Sequence, residues 1–136
     1  MRLGRKQPPP AAPRATLEVR LDRERYAPGE AVRGAVVVVV GGGTAELGVA
    51  LNFHERSIEC EAIAIATPRV PVHGGELIEG SAYRFELELP PDAPPSQASR
   101  HGGLWWAVDV SAGEPASSPL ASARLEVARP GGNPVA

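Results

Sequence analysis

Residues 26–36 read Tyr26-Ala27-Pro28-Gly29-Glu30-Ala31-Val32-Arg33-Gly34-Ala35-Val36, a Pro-Gly corner set directly before a run of valines. Proline holds φ near roughly −65° and glycine accepts positive φ, so Pro28-Gly29 suits the centre of a type II turn. Such a corner ends one extended segment and launches another. On its N-terminal side Leu17, Val19 and Leu21 alternate with Glu18, Arg20 and Asp22, the two-residue period of a strand with one buried face. On its C-terminal side Val36 to Val40 is apolar at every position, as in a strand covered on both faces or one that reaches the end of a sheet.

The alternation continues along the chain. Leu47, Val49, Leu51 and Phe53 share a face in ELGVALNFH, and Tyr83, Phe85, Leu87 and Leu89 oppose Arg84, Glu86 and Glu88 in YRFELEL. In LWWAVDV the inward set is Leu104, Trp106, Val108 and Val110, which turns Trp105 the other way; Ala123, Leu125 and Val127 close the series. The segment SIECEAIAIA changes parity, with Ile58 and Cys60 on one face and Ile63 and Ile65 on the other. A bulge near Ala62 would bring both pairs inside, with Cys60 a small core residue. No window longer than a turn has helical periodicity. About seven short strands punctuated by Gly, Pro and Asn predict an all-β, immunoglobulin-like antiparallel sandwich of two sheets.

At 136 residues the chain holds one domain with a single core, which we place at residues 15–128. Residues 1–14 are Pro-rich with no aromatic or β-branched residue, and residues 129–136 are similar, so both are expected to be disordered tails. The net charge of −2 is uneven: Arg2, Arg5, Lys6 and Arg14 are four of the 14 basic residues, leaving 10 against 16 acidic ones afterwards. An acidic body argues against nucleic acid as a partner. The lone Cys60 excludes an intrachain disulfide, and no apolar run serves as a signal peptide or a membrane span. These features predict a cytoplasmic protein. The single lysine among the basic residues, with abundant Ala, Gly and Pro, points to a G- and C-rich, bacterial genome.

Two stretches resemble the signatures of arrestin-like domains. LDRERYAPGEAVRGAVVV is similar to their opening strand, Tyr-x-Pro-Gly-Glu corner and Val-x-Gly-x-Val strand. LIEGSAYRFELELPPDAPPS followed by GGLWWAVDV is similar to their second signature: a Gly-containing lead, a Phe-x-Phe-type strand ending in Leu-Pro, a Pro-Pro-Ser loop, and a strand with an aromatic residue two before a valine. The residues that carry the match, and which the resemblance implies define the fold, are Tyr26, Pro28, Gly29, Gly34, Gly80, Phe85, Leu87, Leu89, Pro90, Pro94, Pro95, Ser96, Trp106 and Val108. Bacterial sporulation-control proteins and a retromer subunit look similar in the first signature. Animal arrestins carry two such sandwiches, whereas this chain has room for one. It has no Pro-Pro-x-Tyr motif and no match for the phosphate-sensing charged cluster, so neither function is implied.

Candidate chemistry is sparse. His54 with Glu55, Glu59 and Glu61, or His73 with His101, is the only metal-ligating material. His54 and Glu55 would face opposite ways on a strand, and neither His-x-His nor Cys-x-x-Cys occurs. Ser96 or Ser99 with His101 and Asp109 would make a hydrolase triad on paper, but no nucleophile elbow is present. Trp106 reads as a core anchor, whereas Trp105 is the candidate protein contact. The tail RKQPPPAAPR, with Pro10 and Pro13, has the composition of a polyproline ligand, although a plain solvated tail is the preferred reading. The implied function is a non-catalytic protein-interaction or scaffold module, with no enzyme activity, no cofactor or metal, and another protein as partner. Two alternatives stand beside it: a ligand binder or enzyme with a pocket between the sheets, and a structural subunit that self-associates through an edge strand.

Overall fold

The computed structural model describes residues 15–100, 102–113 and 119–128, so both tails and His101 lie outside the described residues. Ten strands follow one another in the described residues: β1 (Thr16–Leu21), β2 (Arg25–Tyr26), β3 (Ala31–Val40), β4 (Thr44–Arg56), β5 (Glu61–Ala66), β6 (Val70–Glu76), β7 (Ala82–Glu88), β8 (Gln97–Ser99), β9 (Gly102–Ala112) and β10 (Ala121–Val127). They form two sheets. The smaller has the order β1-β3-β7; the larger runs β2-β10-β9-β4-β5, with β6 also on β4 and β8 also on β9. All pairs are antiparallel except β2 with β10, which is parallel. The fold is the all-β, two-sheet sandwich expected, and among the described residues no helix is long and apolar enough to cross a membrane.

The alternation explains the layers. Val19, Val32, Val36, Val38, Phe85 and Leu87 of the small sheet face Leu47, Val49, Leu51, Phe53, Trp106, Val108, Val110, Leu125 and Val127 of the large one in a single core. In the valine run only Val36 and Val38 are fully inside; Val39 and Val40 emerge at the end of β3, beyond its last ladder pair with β7, Val37 opposite Ala82. Gly29 has φ +85° and the Glu30 N–H donates to the Ala27 carbonyl at 3.1 Å, which makes residues 27–30 a type II turn. The turn is docked as well as closed: the Gly29 N–H donates to the Pro90 carbonyl and the Leu89 N–H to the Glu30 carbonyl. Tyr26 is buried, and its hydroxyl accepts the Arg23 N–H. At Gly34 a Cβ would collide with the Arg20 carbonyl and with the ring of Phe85, so glycine is what lets β1 and Phe85 close over β3.

The second stretch makes a matching joint. Trp106 is fully buried, packs on Phe53 with ring centroids 5.1 Å apart, and donates its indole N–H to the Pro94 carbonyl at 2.9 Å. The Ser96 hydroxyl accepts the Val127 N–H, and the Ser96 N–H donates to the Val127 carbonyl.

The segment 58–66 departs from the expectation. Ile58, Cys60, Ile63 and Ile65 are all exposed. The irregularity falls between Phe53 and His54 on β4, opposite Ala64, so Ile65 pairs with inward Phe53 and Ile63 with outward His54. The bulge therefore splits the two isoleucines between faces instead of gathering them. The small sheet has only three strands, and none reaches far enough to cover Ile65.

Candidate functional site

The outer face of the large sheet carries polar residues at positions where β4, β9 and β10 turn away from the core. Register places Ala50 and Ser122 on either side of Asp109, Asn52 and Arg124 on either side of Ala107, and His54 beside Trp105. Ala107, small and fully buried, leaves room for longer neighbours to reach across it. Three donors converge on the buried Asp109 carboxylate: Asn52 Nδ2 at 2.8 Å, His54 Nε2 at 2.7 Å and Ser122 Oγ at 2.6 Å. Among the described residues no buried side-chain polar atom lacks a partner. A carboxylate removed from water is tolerated on these terms, because each donor replaces a lost hydration contact with a charge-assisted one.

Trp105 caps this cluster. Its indole stacks on the His54 ring, centroids 5.4 Å apart and planes 7° from parallel. From β10 the Arg124 guanidinium lies over it, Cζ 3.9 Å from the ring centroid, and Arg56 approaches to 5.6 Å. Each contact contributes about 0.5–1 kcal/mol at such a half-exposed site, enough to fix the indole's orientation. Trp105 and Arg124 together form the wall between two clefts. One, of about 730 Å³, is lined by His54, Glu61, Ile63, Asp109, Pro119 and Ser122; the other, of about 630 Å³, by Arg56, Ser96, Gln97, Arg100, Gly103 and Glu126.

Farther along the same face Arg69 forms a clamp. Its guanidinium donates to Glu46, to the Ser111 hydroxyl at 2.7 Å and to the Ser111 carbonyl at 2.9 Å, and lies flat across Gly48, where any side chain would collide with it.

Among the described residues, the candidate catalytic and metal-ligating side chains are not brought together. Ser96 is committed to the backbone of Val127, and His101 and the side chain of Ser99 lie outside the described residues. Asp109 instead meets His54 and Ser122, but both point at the carboxylate. A nucleophilic serine must hand its proton to the imidazole, whereas the Ser122 hydroxyl donates to Oδ1 and the His54 ring to Oδ2. His73 stacks on Tyr83, centroids 4.0 Å apart, and its Nε2 meets the Glu76 carbonyl. Glu61 pairs with Arg56, and among the described residues no group of three metal-ligating side chains comes together. Asn52, Arg56, Ser122 and Arg124 escape sequence reasoning. The only available signal was parity: each falls on the outward phase of a strand whose inward phase is apolar.

No family model matches the chain, and no curated protein matches it. Among solved structures it is similar to Spo0M, a sporulation control protein from Bacillus subtilis. That structure superposes with a TM-score of 0.53 at 21% sequence identity, over 83% of this chain and 49% of that one. The chain thus spans about half the length of that structure, and at this identity the likeness speaks for the fold alone. With the turn and the Trp106 joint in place, the sandwich is of the arrestin-like kind.

Proposed function

We propose that the chain is a non-catalytic protein-interaction module whose contact surface is the outer face of the large sheet around Trp105. The observation that carries this reading is the mounting of the indole. Trp105 is half-buried, held by His54 and Arg124 on neighbouring strands, and flanked by two clefts. A rigid aromatic anchor beside concave ground loses little side-chain freedom on binding, as interface hot spots require. The convergence of Ser122 and His54 on one carboxylate, with no nucleophile facing a base among the described residues, supports a role without catalysis. The fold shared with a sporulation control protein is compatible with it.

Site-specific crosslinking in the source cell tests the reading. A photo-reactive side chain at Ile63, on the cleft rim, is expected to yield a discrete adduct that disappears in Trp105→Ala. The same probe at Arg84, exposed on the other sheet, yields none. Adducts indifferent to probe position or to Trp105 overturn the reading.

The exposure of β5 favours a second reading, self-association. Glu61–Ala66 has one unpaired edge, no proline and no interior charge, with Ile63 and Ile65 exposed on opposite faces. Light scattering at high concentration is expected to show a dimer that Ile63→Lys converts to monomer; a wild-type monomer removes this reading.

A further inference from the structure

We propose that the second cleft, bounded by Arg56, Arg100 and Arg124, is a binding site for an acidic peptide segment. This inference rests on the reading of the face as a protein contact and supplies the chemistry of the partner. Three guanidinium groups line one cleft of about 630 Å³ together with a single carboxylate, Glu126. Two of the charges are already answered: Arg56 pairs with Glu61 at 3.0 Å and Glu126 with Arg25 at 3.2 Å. Arg100 and Arg124 have no carboxylate partner among the described residues, which leave the cleft with two uncompensated positive charges. Every other arginine from Arg20 to Arg84 is ion-paired.

Arg124 is also preorganised. Its flat face rests on Trp105, which fixes the plane of the guanidinium and leaves its N–H edge for a ligand. A guanidinium held this way offers a carboxylate two parallel hydrogen bonds with little ordering cost. The acidic body does not cancel the attraction. At physiological salt, charges farther than about 8 Å are largely screened, so a ligand in the cleft responds to Arg100 and Arg124 before the net charge of the chain. A peptide suits the site better than a small anion because the cleft is open, is lined by residues of β8 and the start of β9, and is otherwise neutral: Ser96, Gln97, Ala98, Gly102 and Gly103. These give backbone and amide partners to the peptide groups between two acidic side chains.

The test is fluorescence anisotropy with a dye-labelled hexaglutamate peptide and the full chain. Saturable binding is expected, weakening as sodium chloride rises. Arg100→Gln and Arg124→Gln are each expected to weaken it about tenfold, the loss of one charge-assisted contact. Arg84→Gln, on the other sheet, leaves it unchanged, and unlabelled hexalysine does not compete. All three variants replace exposed side chains, so their melting temperatures serve as the folding control. Equal affinity for hexaglutamine overturns the acidic class while leaving the contact surface intact. Hexaglutamate binding indifferent to Arg100 and Arg124 overturns the site. Full displacement by equimolar inorganic phosphate makes it a small-anion pocket and overturns both this inference and its basis. No binding of hexaglutamate overturns the inference alone, because crosslinking from position 63 does not depend on the partner's charge.

Discussion

Asp109 interrupts the otherwise apolar stretch LWWAVDV with a charge, and the cause is a set of three donors that no local pattern announces. Converting the acceptor to an amide turns one lone-pair site into an N–H aimed at Asn52 and His54. Asp109→Asn is expected to cost about 2–4 kcal/mol, and Ser122→Ala, which leaves two donors in place, about 1 kcal/mol. Urea unfolding checks the order, and equal losses would deny the cluster its role. Glu30 behaves differently. Hydrogen bonds from Arg23, and then from the Ala27 N–H, hold its carboxyl below its ordinary value of 4.5. A lowered folded value means that Glu30 contributes stability above the unfolded value and loses it as pH falls through the folded one. The melting-temperature gap between wild type and Glu30→Gln is therefore expected to be constant near neutrality and to close below pH 4.5. Pro28 and Gly29 were legible because their constraint is intrinsic to the residue. The partners of Asp109 were not, because they depend on the relative slide of three strands distant in sequence.

Among elements, the strands with one apolar and one polar face were the readable ones. β4 and β7 announce themselves in Leu47, Val49, Leu51 and Phe53, and in Phe85 and Leu87. β6 did not, since Pro71, Gly74 and Gly75 are turn residues by composition. It is nonetheless a strand because it pairs with β4 along one edge only, where proline and glycine are tolerated, and because His73 stacks on Tyr83 of the opposite sheet. β5 was read as a strand but assigned to the interior. Alternating Ile and Ala satisfies an inward pattern, and nothing in the segment reveals that the facing sheet ends before reaching it. Its placement has a measurable result. With few buried contacts and one free edge, the β5 amides are expected to exchange at least about a hundredfold faster than those of β4 and β9. Hydrogen exchange by mass spectrometry decides this, and equal protection would mean that β5 is covered in solution.

For the whole molecule, the core is continuous from Val19 to Val127, and Trp106 is its largest fully buried side chain. Trp106→Ala is expected to cost about 3–5 kcal/mol, a large share of the roughly 5–15 kcal/mol that holds such a domain together. Loss of binding in that variant would report unfolding, so variants at Trp105 and the arginines are the ones that test the proposed contact apart from stability. The order β2-β10-β9 has a further result. The last of the described strands, β10, is not at the margin of its sheet but wedged between one of the earliest and the one just before it. A nascent chain leaving the ribosome therefore holds β2 without a neighbour, and the Tyr26 corner without its final support, until Val127 has emerged. Completion of the larger layer must wait for β10, and in that interval the indole of Trp106 and the exposed flank of β9 are what a chaperone would meet.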